Sequence, residues 1–266
     1  MAKQSGIHQL NGKVRGMSYY RQKGVEQGLA RSINTGLSKR VKEDEAYANT
    51  RLNAAEFGSA GAFAGAAIRA IRDRQRAMMK DFATGLLAKD VKKVIVADTT
   101  NPWGNRQLVG TNWQDALLDK ISTYAKLEFG SYVGGFFNAA VATVDGGKQW
   151  TPDAELPAGW GTLLAAKGAD GAVVEMYAYA VSMLPSEEGA KLSESSTAFV
   201  GEADIKIGEA GTITEPATIP AAFDGVQAAN KLQGVLVIVK PYQEVNGEKY
   251  IRQELCTYTL VAPTVG

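Results

Sequence analysis

From about Lys42 the hydrophobic period of this chain is helical and past about residue 128 it is strand-like, which limits the fold to an α+β arrangement with helices ahead of an antiparallel sandwich. From Lys42 onward Glu43, Asp44 and Glu45 place negative charge where the positive end of a helix dipole favours it. Phe57, Gly61, Ala64, Ile68 and Ile71 then step by four, three, four and three, which sets them on one helix face. Beside them Ala54, Gly58, Gly61 and Gly65 form a row of small side chains that lets another backbone approach closely, and this row is the expected helix-packing interface. Each glycine costs roughly 1 kcal/mol in helix propensity, so the helix is expected to depend on a partner element. The run Gly58 to Ala67 also reads as a flexible loop; the periodicity on both sides favours helix. Met79, Ala83, Leu87, Val91 and Ile95 repeat every four residues and predict a second helix, or an extension of the first, over 78–96, broken by Asn101-Pro102-Trp103-Gly104-Asn105. Trp113, Leu117, Ile121 and Tyr124 predict a third, with Asn112 as its cap.

Past residue 128 the segments 131–144, 171–184, 197–207, 211–219, 233–245 and 248–261 are rich in Val, Ile, Tyr, Phe and Thr and are separated by Gly, Pro, Asp and Ser. They predict an antiparallel β-sandwich over 129–266, immunoglobulin-like or jelly-roll-like. Its clearest unit is a hairpin turning at Asn246-Gly247. Pro241 is expected at an edge or bulge, because it cannot donate to a ladder. Cys256, in an alternating apolar strand, reads as a small buried hydrophobe.

The first 42 residues read differently. Gly16, Gly24, Gly28 and Gly36 interrupt any helix and Asn11-Gly12 is a hairpin signal, so the segment is expected to be a basic extended arm with a hairpin, or a short hairpin packed on its own domain. Lys13, Arg15, Arg21, Lys23, Arg31, Lys39, Arg40 and Lys42 surround Tyr19 and Tyr20 here, and Arg69, Arg72, Arg76 and Lys80 follow further on at helical spacings, with Arg74 nearby. Residues 1–93 carry 18 Lys+Arg against 8 Asp+Glu, a net of +10, whereas 94–266 carry 11 against 20, a net of −9. Such polarity attracts anions to one end, or copies of the chain head to tail; a solvated surface of both signs is the plainer alternative. Lys13, Arg15, Arg21, Lys23, Arg31, Arg69, Arg72, Arg76 and Lys80 are therefore the candidate contacts to nucleic acid or an acidic partner.

One cysteine and one histidine are too few for the usual metal sites, for an internal disulfide or for the common nucleophile–base pairs, and no metal or cofactor is expected. His8 lies in the arm with no serine or cysteine nucleophile near it in sequence. The glycine-rich run lacks the Lys-Ser or Lys-Thr of a phosphate-cradling loop. Asp153 with Glu155 and Glu187 with Glu188 sit in polar, Pro- or Gly-flanked segments that read as solvated loops rather than glycosidase pairs. Trp103, Trp113, Trp150 and Trp160 fall near element boundaries, where aromatics close a core more often than they form a carbohydrate platform. No enzyme is read from these residues. No run of 18 apolar residues exists and the start has no apolar signal run, so neither a membrane span nor secretion is expected, and the chain is expected to be made in a cytoplasm.

The segments Gly12-Lys13-Val14-Arg15-Gly16-Met17-Ser18-Tyr19-Tyr20-Arg21-Gln22-Lys23-Gly24 and Ala46-Tyr47-Ala48-Asn49-Thr50-Arg51-Leu52-Asn53-Ala54-Ala55-Glu56-Phe57 resemble a family of uncharacterised proteins from phages and prophages of Bacteroidetes hosts. The resemblance covers roughly the first eighty residues; beyond them only the layout is similar. It implies a basic hairpin, a basic helix, a β-sandwich tail and a place in the virion, and it supplies no catalytic residues. The expected function is a capsid or capsid-associated subunit assembling in many copies, with further copies or other virion proteins as partners. A nucleic-acid-binding protein, with packaged nucleic acid as partner, and a host-surface recognition module are the alternatives.

Overall fold

The structure, a computed structural model, describes residues 2–3, 11–14, 16–21, 28–32, 36–74, 78–110, 112–125, 137–144, 147–155, 162, 164–184, 192–206, 212–213, 217–218 and 230–265. The chain is α+β, with a short antiparallel sheet first, then helices, then two largely antiparallel sheets, and it divides into two compact units, 1–52 and 53–266.

In the first unit β1 (Ala2–Lys3), β2 (Gly12–Val14), β3 (Met17–Tyr20) and β4 (Leu29–Ser32) form an antiparallel sheet in the order β1-β4-β3-β2. Much of the described part of the segment expected as an extended arm is thus tied into a sheet, and its end, from Leu37, is helical. Its hairpin does not turn at Asn11-Gly12: Gly12 pairs with Tyr19 inside the ladder and Val14 pairs with Met17. The turn lies between those last two, where Gly16 takes φ +78 without the Cβ clash that other residues would meet. Helix α1 (Leu37–Glu43) follows and ends at Asp44, whose Oδ1 accepts from the Ala46 N–H and opens the 3-10 turn Glu45–Tyr47 that leads into α2 (Ala48–Arg72). Arg51 Nη1 donates to the carbonyls of Val41 (2.9 Å) and Asp44 (2.8 Å), supplying partners to carbonyls at the end of α1.

In the second unit α2 runs on to Arg72, followed by α3 (Ala83–Val96) and α4 (Trp113–Ser122). The expected faces of α3 and α4 are the buried ones: Met79, Ala83, Leu87, Val91 and Ile95, then Trp113, Leu117, Ile121 and Tyr124. Asn112 holds the cap position of α4 at φ 63 but makes no side-chain cap bond. For α2 the expected face is turned. Ala60, Phe63, Ala64, Ala67, Ile68 and Ile71 face the core, and Phe57 is 59% exposed. Phe63 decides the rotation: it meets the Trp113 ring edge-on at 6.5 Å, a large buried contact that the small residues on the other side cannot match.

The strands are β5 (Phe137–Val144), β6 (Gly147–Glu155), β7 (Gly171–Leu184), β8 (Leu192–Lys206), β9 (Thr212–Ile213), β10 (Ala217–Thr218), β11 (Lys231–Val245), β12 (Glu248–Ile251), β13 (Thr257–Val261) and β14 (Pro263–Val265). One sheet runs β12-β11-β7-β8, with β13 also on β11; the other runs β10-β6-β5-β14, with β9 also on β6. One pair departs from the antiparallel expectation. The chain leaves β13, crosses to the other sheet within one residue and lays β14 parallel to β5.

Two prolines explain breaks in these ladders. The span 248–261, expected as one strand, is β12 and β13 with a 3-10 turn at Gln253–Leu255 between them. On β11 the break falls between Val239, the last residue opposite β13, and Tyr242, the first opposite β12. Pro241 occupies that gap, where its missing N–H leaves no partner wanting, and its carbonyl accepts from Arg252 N. On β6, a strand the sequence did not suggest, Pro152 lies between the stretch paired with β10 and the stretch paired with β9.

The helices cover one face of the five-stranded sheet that contains β11. Tyr177, Tyr179, Val181, Leu232, Leu236, Ile238, Tyr258 and Leu260 join the helix residues in one core. Ala172, Val174, Met176, Val235, Val237 and Val239 form a second cluster with Ile205 and Leu164. Neighbouring β11 residues alternate between the two, so Leu232 to Val239 are all buried, which is why that strand is nearly continuous in apolar residues. Tyr179 and Tyr258 rivet the layers by donating to the carbonyls of Ala67 (3.1 Å) and Ile121 (2.7 Å). Gly234 gives Leu118 its seat: a Cβ there would lie 2.9 Å from Leu118 Cδ2 and 3.0 Å from the Val261 carbonyl.

Candidate interaction surface

The inner side of the α2–α3 pair is fixed by one buried carboxylate. Glu56, on α2, receives Lys92 from α3, Arg106 through Nε (2.7 Å) and Nη2 (2.9 Å), and the Gly104 N–H (2.9 Å). Burial alone would push this carboxyl up. Hydrogen bonds from Arg106, Lys92 and Gly104 outweigh it and hold the pKa at about 2. A second carboxylate, Asp98, shapes the adjoining loop by accepting from the N–H groups of Thr100 (2.8 Å), Asn101 (3.2 Å) and Gln107 (2.8 Å) and from Asn101 Nδ2 (2.8 Å). These bonds keep it ionised far below its usual range despite burial. Beyond α2, Arg74 binds Thr197 on β8 through Oγ1 (2.7 Å from Nη2) and the carbonyl (3.0 Å), and lies 4.7 Å from the Tyr177 ring centre.

The outer side is different in kind. Arg69 and Lys80 are exposed and Arg72 is half-buried. Arg72 Nη2 donates to the carbonyls of Lys80 and Asp81, both at 3.2 Å, and Lys80 Nζ to the Thr123 carbonyl at 3.0 Å. Among the described residues no carboxylate forms an ion pair with these three, so each keeps its charge for the surroundings. Arg69 and Arg72 border a cleft of about 370 Å³ with Gly65, Ile68, Asp73 and Thr84. In the first unit Lys13, Arg21 and Arg31 are exposed, with the Arg31 guanidinium 5.5 Å from the Tyr20 ring centre. Arg15, Lys23 and Arg76 lie outside the described residues, as do His8, Trp160 and the Glu187/Glu188 pair.

Among the described residues nothing packs closely on the small-residue row. Ala54 and Gly58 are exposed, Gly61 and Gly65 half-buried, and a Cβ on any of the three glycines would meet nothing within 4 Å. The row is open, together with Phe57. A larger apolar surface escaped the sequence reading: Phe82 at the cap of α3 (77% exposed) and Leu86 and Val96 on it stand in solvent with Lys89 and Lys93 between them. Steps of four, three, four and three join these five residues, a helical spacing on the side of α3 opposite its buried face, so a second stripe was there to be read. Among the described residues no group of His, Cys, Asp and Glu side chains could hold a metal ion, and no described helix is long and apolar enough to cross a membrane. No protein-family model and no curated protein matches the chain.

Proposed function

We propose that the chain is a structural subunit of a phage particle, a capsid or capsid-associated protein that assembles in many copies. The observation that carries this reading is exposure: Phe57 on α2 and Phe82 and Leu86 at the start of α3 stand in solvent, as do the cations Arg69, Lys80 and Lys89, while residues 94–266 carry a net charge of −9. Large apolar side chains and unpaired cations both gain when an acidic neighbouring surface covers them. The likeness of residues 12–24 and 46–57 to phage and prophage proteins supports the same reading. In this reading the two sheets close into a β-sandwich, immunoglobulin-like or jelly-roll-like, that serves as the rigid acidic body. The direct passage from β13 into β14, one in each sheet, supports closure. The protein is made in the host cytoplasm and ends in the virion, needing no cofactor. Sedimentation and negative-stain microscopy of the purified chain, alone and with lysate from an infected host, test this: oligomers that grow with concentration, or particles containing the chain, are expected. A chain that stays monomeric over a wide range and enters no particle overturns the proposal.

A nucleic-acid-binding role is the second reading, favoured by one observation: among the described residues Arg69, Arg72 and Lys80 form no ion pair with a carboxylate, and Arg69 and Arg72 border one cleft. Salt separates the two. Binding through phosphates weakens steeply as salt rises, whereas an interface held by apolar burial changes far less.

A further inference from the structure

We infer that the β11–β12 finger, residues 243–250, docks on the outer face of α3 of a second copy of the chain; this deepens the assembly reading and rests on it. Among the described residues the finger has no third strand. β7 ends opposite Tyr242, and β13 ends opposite Val239. All eight residues of 243–250 are exposed. A free two-stranded hairpin is marginal in water, and this one is held by its tight turn, Asn246 at φ 55 and Gly247 at φ 82, which matches the twist of the strands.

The register divides the finger into two faces. Glu244 lies opposite Lys249 on one, and Gln243, Val245, Glu248 and Tyr250 share the other. The first face is engaged by its own molecule: Lys249 pairs with Asp204 and sits 4.9 Å from the Tyr242 ring centre. At its base the Glu244 N–H donates to Asp170 Oδ2 at 2.8 Å. The second face is exposed, with no partner outside the finger among the described residues. It offers Val245, Tyr250 (53% exposed) and the Glu248 carboxylate, which accepts from the Tyr250 hydroxyl at 2.8 Å.

The outer face of α3 has the complementary pattern, with Phe82 and Leu86 flanked by the Lys89 ammonium. An apolar pair carrying an anion thus meets an apolar pair carrying a cation. Two such α3 faces would repel each other, which disfavours a symmetric α3-to-α3 contact. A finger-to-helix contact joins different surfaces of neighbouring copies and so propagates into rings or shells. The finger alone buries less than a standard interface of about 800 Å² per partner, so one contact is weak and holds through repetition.

The test is sedimentation of the full chain over a range of concentrations, in the parent and in variants on each surface. Tyr250→Ala and Leu86→Glu are each expected to weaken self-association by about thirtyfold. Glu248→Lys and Lys89→Glu are each expected to weaken it about tenfold by placing like charges together, and the double variant to recover most of the loss. Recovery is the readout that misfolding cannot imitate. If the parent assembles and all four variants assemble equally well, or if the double variant stays as weak as the singles, the finger contact is wrong while the assembly reading stands. If the parent does not self-associate at all, both fail. As a second measurement, a mixture of Val245→Cys and Leu86→Cys chains should form a mixed disulfide on mild oxidation, the native Cys256 being buried; its absence in an assembling mixture also counts against the contact.

Discussion

The inner and outer sides of the α2–α3 pair obey opposite rules. Inside, Phe63, Ala67, Ile71, Leu87 and Val91 are fully enclosed, and the single carboxylate among them, Glu56, has partners for both oxygens. Outside, a Cβ added at any of three glycines would meet nothing within 4 Å, Phe57 and Phe82 are exposed, and among the described residues Arg69, Arg72 and Lys80 have no carboxylate partner. The inner side is what a fold needs. The outer side adds little to folding, since exposed aromatics and helical glycines contribute nothing to the core, so its composition is explained by something outside the unit.

The sharpest way to break this contrast is to truncate one aromatic on each side. Phe63→Ala should cost about 3–5 kcal/mol through lost burial and the cavity left against Trp113, whereas Phe57→Ala should stay within about 0.5 kcal/mol. Urea unfolding followed by far-UV circular dichroism gives both values. Comparable losses would mean that Phe57 is covered and the outer side is not free.

Glu56→Ala should be nearly as damaging as Phe63→Ala, about 3–5 kcal/mol, because Lys92 and Arg106, both largely buried, lose their counter-charge. The same group sets a pH dependence. Its folded pKa, about 2, lies below the ordinary 4.5, so its contribution is complete above about 4.5 and fades as pH falls towards 2. Acid unfolding should therefore begin below pH 4.5 in the parent and show a shallower pH slope in Glu56→Gln. Equal slopes would remove Glu56 as the acid-sensitive strut. Smaller again is Tyr179→Phe, which deletes the bond to the Ala67 carbonyl and should cost about 1 kcal/mol by the same unfolding measurement.

The helices were legible where burial follows one uninterrupted stripe. Met79 to Ile95 and Trp113 to Tyr124 bury the residues their spacing names. On α2 two stripes compete, and spacing alone does not weigh Phe63 against Phe57; only the Trp113 ring on another helix does that. The Asn246-Gly247 hairpin could be read because its turn is a local requirement for positive φ, yet that the finger stands alone depends on where β7 and β13 stop. The break at Gln253–Leu255 is a consequence of Pro241 more than ten residues away in sequence. Glu56 gave no sequence signal at all, since its partners lie 36 and 50 residues further on and look like any other Lys and Arg. Of the candidate contacts, the helical cations were legible as a stripe, but not that Arg72 and Lys80 spend bonds on carbonyls and have no ion pair among the described residues.

The smallest expected effect is also the one that best separates folding from assembly. Gly58→Ala and Gly61→Ala replace glycines in the body of α2 whose added Cβ would touch nothing within 4 Å, and neither takes positive φ. Each should stabilise the isolated subunit by about 0.5–1 kcal/mol, because alanine loses less backbone entropy on entering a helix. A stabilising substitution available at two positions and not used indicates that closeness of approach there has a value of its own. If the outer side of α2 receives a neighbour, the same substitutions hold that neighbour's backbone off by the width of a methyl group and weaken association while the unfolding midpoint rises. Unfolding and sedimentation on the same samples read the two effects separately. A rise in midpoint with unchanged association confines any docking to α3 and makes the glycine row a helix surface with no contact; a fall in midpoint shows that α2 is covered by its own chain, and the contrast between the two sides is lost.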